Sequence, residues 1–547
     1  MKQEYIEIAE LLFPQIKNDI SFYENLYKDR NLDSNSMVTR FAPSPTGFVH
    51  MGSLYVSFIN SIFAKRSNGV FYVRIEDTDQ VRIVEDGISS ILRDLKDFDI
   101  IPDEGVECGG NYGPYIQSKR MEIYQTYAKH MISLGLAYPC FCTKEELENI
   151  RLMQEENKLR IGYYGDFARY RNITKEEVKK HLENKEQFVI RFKSLGSFDK
   201  TVNFHDEIKG DITFPENDID VVLLKSDGLP TYHFAHVIDD HLMRTTCVIR
   251  GDEWLSSIPL HLQLFKALSF DIPKYAHISP LTKKDGDIVR KLSKRKDPEC
   301  SVKFYEEQGI PSDVIKLYFA QIINYDFEEW YLKNSDKNIL EFPFKFSHMA
   351  EGGSLFDLEK LYSISRDFFA KRTAKEIYLE ALEFYRKHEH PFYQLLDKYK
   401  DYSISILNIE RGLERSRKDI AKYSDIYDEF WYMYDEEFFN RDLKLPDMDK
   451  KIELSMLEEY IDKVYDSNDT EEEWLNKLKE FGRKYNFCDS VKEYKKNKEQ
   501  YFGHFGDICN YLRVVITTKT MTPNLYDILK LLGKSRIIKR IKFFRNK

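Results

Sequence analysis

Arg40-Phe41-Ala42-Pro43-Ser44-Pro45-Thr46-Gly47-Phe48-Val49-His50-Met51-Gly52-Ser53, written RFAPSPTGFVHMGS, sets two prolines, two glycines and a lone histidine between two apolar runs. Proline fixes φ and glycine releases it, so the segment reads as a rigid turn with a defined exit. Residues 37–42 read as a strand before it, and residues 51–66 after it repeat Leu54, Phe58, Ile62 and Phe63 on one helical face. Such a turn starts the helix with its free N–H groups facing a cleft, where the helix dipole favours a phosphate. Gly52 would let a ligand approach the backbone, and His50 would donate to a phosphate oxygen. The same His-x-Gly also fits a plain turn with a surface histidine, so the stretch alone does not decide the chemistry.

Working outward, Gly69 is placed to end the helix, and the mostly apolar run 70–75, VFYVRI, reads as a second strand that completes a βαβ unit. The same texture returns at 221–224 and 247–250, followed by Leu260, Leu264 and Leu268 spaced by four. Between these halves lies a polar, charge-rich section, 136–225, with strands of its own such as 188–192. The expected fold is an α/β Rossmann-type catalytic domain split by an α+β insertion and followed by a mainly α-helical C-terminal region. Its expected divisions are a helical extension, 1–36, with Tyr5, Ile8, Ala9 and Leu12 at helical spacing; Rossmann halves at 37–135 and 226–285; the insertion at 136–225; a basic loop with the region after it, 286–365; and the helical region, 366–547. Pro391, Pro446 and Pro523 are the only prolines beyond residue 350, against fourteen before it, which suits long helices.

A chain of 547 residues exceeds what one core organises, so several domains are expected. With 42% hydrophobic, 14% aromatic and 32% charged residues the composition is that of a folded globular protein rather than a disordered one. No run of 18 apolar residues occurs, and the first thirty residues hold no apolar stretch behind a basic start; neither a membrane span nor a signal peptide is expected. The seven cysteines, mostly isolated and odd in number, fit a reducing compartment without disulfides, and a cytoplasmic location follows as the expectation. A net charge of -9 argues against non-specific polyanion binding while leaving room for a local basic face.

A second signal is Arg290-Lys291-Leu292-Ser293-Lys294-Arg295-Lys296, bases interrupted only by Leu292 and Ser293 and preceded by the turn Lys284-Asp285-Gly286. A charge run is usually a solvated surface. The alternative is a mobile loop whose lysines neutralise phosphate charge as a phosphoanhydride is attacked. The two signals together narrow the choice. RFAPSPTGFVHMGS resembles the ATP-binding HIGH signature of class I aminoacyl-tRNA synthetases, and KLSKR, 291–295, resembles their KMSKS loop. More closely, RFAPSPTG (40–47), RIEDTD (74–79), LLKSDGLPTYHFAHVIDDHLMRTTCVIRGDEW (223–254) and KLSKR resemble glutamyl-tRNA synthetases of the bacterial type, in the same order across residues 37–300.

The resemblance implies ATP-dependent ligation of L-glutamate to the 3′ end of tRNA-Glu through a glutamyl-adenylate, with Mg²⁺ carried in by ATP. It implies Arg40 and Arg250 for the substrate carboxylates, in an order left open, because guanidinium forks match them. Ser44 and Glu76 match positions near the α-amino group, Ala42 is a further substrate position, and Tyr232 matches a residue that closes the pocket. His236 falls on a variable position and either tunes the pocket or packs against it. His50, Gly52, Ser53, Trp254 on the adenine side, Lys291 and Lys294 are implied around ATP, with His50, Lys291 and Lys294 as the catalytic set. No protein nucleophile is required, because the glutamate carboxylate itself attacks the α-phosphate.

Two departures stand out. His50-Met51-Gly52-Ser53 lacks the second histidine of the HIGH pattern. Some family members bind zinc in the insertion through Cys-x-Cys and a later cysteine near a Tyr-x-Gly segment; here Cys140 and Cys142 are present but 163–169 offers neither cysteine nor histidine, so no zinc is expected. At the C-terminus, residues 533–547 carry seven bases and no acid, with Ile537, Ile541 and Phe544 placed to dock; the bases fit either RNA phosphates or a solvated face. The implied protein is a monomer with an anticodon-binding helical region. Alternatives are an enzyme that also charges tRNA-Gln, one that glutamylates a modified base in tRNA, and a non-catalytic tRNA-binding paralogue.

Overall fold

The computed structural model describes every residue except Met1, Phe48, Lys294, Arg415 and 449–451. The chain divides into two compact units, Met1–Phe304 with Ile315–Asp357, and Tyr305–Val314 with Leu358–Lys547.

The first unit opens with α1 (Lys2–Leu12) and α2 (Ile20–Leu26). Ile8, Ala9 and Leu12 are buried, as their spacing predicts. The βαβ unit follows: β1 (Val38–Phe41), α3 (Met51–Arg66) and β2 (Val70–Val73), the two strands parallel with Arg40 opposite Tyr72. Leu54, Phe58, Ile62 and Phe63 all lie in the core. The helix stops differently from the expectation. Asn68 takes the left-handed conformation, φ 51°, whereas Gly69 is needed because a Cβ there would sit 1.9 Å from the Met37 carbonyl oxygen. Helices α4 (Gly87–Asp97) and α5 (Met121–Ser133) complete the first half, and Lys129 on α5 reaches back to Glu10 at 2.9 Å.

The insertion contains β3 (Ala137–Cys140), α6 (Lys144–Glu156), α7 (Lys175–Glu183), β4 (Val189–Phe192), the hairpin β5 (Thr201–Asp206) with β6 (Gly210–Pro215), and β7 (Val222–Leu224). Strand β4 lies antiparallel between β3 and β7, so the run 221–224 closes the insertion's sheet. Three apolar residues carry no mark of which partner they pair with; that is a tertiary choice. The second half is α8 (Tyr232–Leu242), β8 (Cys247–Gly251), α9 (Ile258–Ala267) and β9 (Lys274–Ile278), with β8 and β9 parallel. The Thr246 amide donates to the Val38 carbonyl at 3.0 Å and joins the two halves. The basic run is partly strand: β10 (Thr282–Asp285) and β11 (Ile288–Lys291) form an antiparallel hairpin that turns at Gly286, φ 63°.

The second unit is built from helices, from Leu358–Lys371 to Leu525–Arg545, around an aromatic-rich core that includes Tyr378, Tyr432, Tyr460, Phe481, Leu512 and Ile537. Its described strands are two residues long, Phe487–Cys488 and Gly503–His504. The last helix breaks at Gly533, φ 72° and ψ 156°. The expected boundary at 366 differs from the contact division, which starts this unit at Leu358 and adds Tyr305–Val314 to it. Among the described residues no helix is long and apolar enough to cross a membrane.

Candidate active site

The ends of β1, β2 and β8 and the starts of α3 and α8 surround a cavity of about 860 Å³. Arg40, Ala42, Ser44, His50, Gly52, Ser53, Glu76, Tyr232, Arg250, Trp254 and Lys291 all line it. These residues lie up to 251 positions apart in sequence, from Arg40 to Lys291, and converge because open α/β sheets leave a crevice at the strands' carboxyl ends.

The proline turn holds its shape through the segment that follows β2: the Glu76 amide donates to the Pro43 carbonyl at 2.9 Å and the Val84 amide to that of Pro45 at 3.0 Å. His50 is the N-cap of α3, its Nδ1 accepting from the Ser53 amide at 3.2 Å. One of the helix's free amides is therefore already occupied. An accepting Nδ1 puts the ring proton on Nε2, leaving that nitrogen as a donor. The glycine at 52 serves this arrangement, because a Cβ there would come within 3.1 Å of the His50 ring.

Beneath the pocket lies a dense charge network. Arg40 bonds the Asp240 carboxylate through Nε at 3.2 and 3.1 Å. Arg74, without exposure, reaches Asp240 at 2.7 Å and Glu76 at 3.0 Å, and Arg120 meets Asp239 at 2.8 Å. Three guanidiniums thus face three carboxylates, which is how buried charges are tolerated. Burial works against the Asp240 charge, but Arg40 and Arg74 overcome it and hold the carboxyl well below its usual range. For Glu76 burial prevails over Arg74 and Arg40 and raises the carboxyl above its usual range. Arg74 and Asp240 escaped the sequence reading; the adjacent acids in HVIDDH on an apolar helix were the available signal.

Arg250 is held otherwise. Its Nε donates to His277 Nε2 at 3.0 Å, Nη1 to the Tyr232 hydroxyl at 3.1 Å, and Nη2 to the Trp254 carbonyl at 3.4 Å and towards His261 Nδ1 at 3.3 Å. Burial lowers the His277 and His261 imidazoles below their ordinary value, so both are neutral acceptors. Among the described residues no carboxylate pairs with Arg250. Tyr232 and Trp254 stack at 4.1 Å, so Trp254, expected on the adenine side, stands at the Arg250 end of the cavity.

His236 does not line the cavity. It is fully buried between Asp240, 2.9 Å from Nδ1, and the Tyr275 hydroxyl, 2.9 Å from Nε2, and packs behind Arg40 instead. Helical spacing accounts for the second of the two readings: one turn after Tyr232 the residue is on the same face but one layer deeper. Arg290 is also tied down, bonding Asp297 at 2.6 and 2.8 Å and Asp285 at 2.8 Å. Lys291 ends a strand at the cavity wall, and Lys294 lies outside the described residues. Cys140 and Cys142 both contact the Tyr163 hydroxyl, at 3.4 and 3.5 Å. Among the described residues no cluster of three or more His, Cys, Asp or Glu suits a metal ion.

The C-terminal bases do not all face outward. Arg536 and Arg540 share Asp435 at 2.9 Å each, Lys547 pairs with Asp442 at 3.0 Å, and Lys542 and Arg545 pair with Glu458. Ile537, Ile541 and Phe544 are buried as expected.

Residues 36–325 match the family model for the catalytic domain of class I tRNA synthetases (E and Q), and residues 391–545 match an anticodon binding domain. A glutamate–tRNA ligase of Acetivibrio thermocellus is 44% identical over 543 residues, covering 98% of this chain and 99% of the relative. One from Clostridium beijerinckii is 42% identical, covering 99% of each. The crystal structure of a glutamate tRNA ligase from Elizabethkingia meningosepticum in complex with its amino acid superposes with a TM-score of 0.74 at 27% identity, covering 94% of this chain and 99% of that one. The similarity runs through the catalytic half and the helical half alike, and the chain belongs to the glutamate–tRNA ligases, class I aminoacyl-tRNA synthetases with a Rossmann-type catalytic domain.

Proposed function

We propose that the cavity activates L-glutamate with ATP and that the chain then transfers the glutamyl group to the 3′ end of tRNA-Glu. The observation that carries this reading is Arg250, a buried cation at the cavity wall whose partners among the described residues are neutral. A carboxylate of glutamate would complete it, the other carboxylate meeting Arg40. The α-ammonium would sit by Glu76 and Ser44, and its charge would favour ionisation of a carboxyl that burial disfavours. Ala42 would allow the ligand close to the strand end, and the Tyr232–Trp254 stack would cover it.

ATP enters as substrate together with its Mg²⁺. His50 Nε2, the amide of Gly52 at the start of α3, and Lys291 with Lys294 would supply donors and positive charge for the triphosphate, with Ser53 beside them on the cavity wall. The glutamate carboxylate attacks the α-phosphate and pyrophosphate leaves, so this chain contributes alignment and charge stabilisation rather than a nucleophile. To the helical unit we assign the anticodon end of the tRNA, supported by its family match. We take the working form to be a cytoplasmic monomer.

ATP–pyrophosphate exchange measured with and without tRNA tests the activity, and charging tRNA-Glu and tRNA-Gln transcripts in parallel tests the acceptor. Glutamate-dependent exchange and glutamylation of tRNA-Glu are the expected results. Absence of exchange under both conditions overturns the reading in favour of a non-catalytic tRNA binder.

A further inference from the structure

Arg250 is oriented by a group that does not touch the cavity. Asp206 ends β5 in the insertion and is fully buried. Its Oδ1 accepts from the Ile208 and Lys209 amides at 3.0 and 2.9 Å, and the His277 amide is shared between Oδ1 at 3.2 Å and Oδ2 at 3.1 Å. Its Oδ2 faces His277 Nδ1 at 2.6 Å. A carboxylate only accepts, so the imidazole proton must reside on Nδ1. Nε2 is then a lone pair, and the Arg250 Nε–H, 3.0 Å away, donates to it. Carboxylate, imidazole and guanidinium form one buried line with a single compatible tautomer.

We propose that Asp206 and His277 are positioning residues that aim Arg250 at the substrate carboxylate, so that selectivity for glutamate over glutamine depends on a residue of the insertion. This rests on the reading of Arg250 as a carboxylate anchor. The contrast with Arg40 gives the reason for an imidazole spacer. A carboxylate placed directly against Arg250, as Asp240 lies against Arg40, would offset part of the charge the substrate has to meet. The neutral ring holds the guanidinium plane without neutralising it.

The substitution Asp206→Asn tests the relay almost isosterically. The new amide keeps an oxygen for the Ile208 and Lys209 amides but presents N–H to His277 Nδ1. The ring must then carry its proton on Nε2, and two donors face each other at Arg250. Misplacing a binding group in this way should raise the glutamate KM by roughly 10- to 100-fold with a smaller change in kcat, and lower the glutamate-to-glutamine preference by a similar factor. His277→Gln offers Arg250 an oxygen that needs no tautomer, so it should stay within about threefold of the parent, and the double variant Asp206→Asn, His277→Gln should recover most of the loss. His277→Ala should lose what His277→Gln keeps. If the double variant stays as poor as Asp206→Asn, or if His277→Ala and His277→Gln behave alike, the relay is wrong. Should Asp206→Asn fail to fold, the two His277 variants decide it alone. Arg250→Ala is run alongside: intact glutamate activation there removes the anchor reading itself, whereas lost activation there with an unaffected Asp206→Asn removes only the relay.

Discussion

Arg250 in the first unit and Arg540 in the second are both buried arginines, and they are closed in opposite ways. Arg540 meets the Asp435 carboxylate at 2.9 Å and the Ile516 carbonyl at 2.6 Å and lies over the Phe438 ring at 4.1 Å. Arg250 meets two neutral imidazoles, a phenol and a carbonyl, and borders an open cavity. A buried cation that a carboxylate compensates away from the cavity, as Asp435 does Arg540, is scaffold, since its charge is spent inside the fold. One oriented by neutral groups keeps its charge for a ligand. The same distinction separates Lys291, which stands at the cavity wall, from Lys542, Arg545 and Lys547, which are engaged with acids of their own unit.

The largest expected effect tests the open cation. Arg250→Ala should abolish discrimination against glutamine, a preference of roughly 10⁴ to 10⁵ for a site built around such a polar partner, read as the ratio of kcat/KM values. Near-normal glutamate activation would erase the contrast with Arg540. Next comes the phosphate end. His50→Ala, Lys291→Ala and Lys294→Ala should each slow adenylate formation by roughly 10² to 10³ in single turnover, with less change in ATP KM. A raised KM with an unchanged chemical step would make these residues ground-state binders.

Proton linkage comes third and belongs to the first unit. Burial and the Arg250 charge push His233 down to about 4, and burial holds His236 and His261 low as well. The unfolded chain protonates these rings below about pH 6.5 while the folded one does not, so each contributes stability that is complete above that pH. Each should cost about 1.4 kcal/mol per pH unit as pH falls from 6.5 towards 4. Denaturant titrations across this range should show the loss, and His233→Phe should reduce the slope. A slope unchanged in that variant would mean that the ring is accessible to protons.

The smallest effects belong to the second unit. Arg540→Met should cost about 1 to 3 kcal/mol by chemical denaturation, because Asp435 keeps Arg536 as a partner. Replacing Lys542 and Arg545 by Gln should leave the salt dependence of tRNA binding unchanged, whereas real phosphate contacts would each remove about 0.9 from the slope. A lowered slope would show that these bases leave Glu458 for RNA.

Sequence alone was enough for the βαβ unit and for most of the cavity wall. Periodicity predicts 51–66 as helix, and Met51–Arg66 is that helix, because an apolar face repeating every three to four residues has one regular way to be buried. The prolines and glycines of 40–53 mark the turn because they restrict φ locally, whatever the chain does elsewhere. Local rules stop at partner choice. Nothing in 221–224 says that these residues pair with β4, nothing in His236 says that it lies behind Arg40, and nothing in the C-terminal bases names Asp435 or Glu458 as their counter-ions. The line from Asp206 through His277 to Arg250 is the clearest case. It joins residues 71 and 27 positions apart, and its force lies in distances of 2.6 and 3.0 Å and in the tautomer they impose. The motifs along the chain, through their resemblance to a known family, pointed to the reaction the protein is built for. Only the folded structure decided which of its buried charges are compensated, because compensation is a matter of contact, and contacts between distant residues exist only once the chain has closed upon itself.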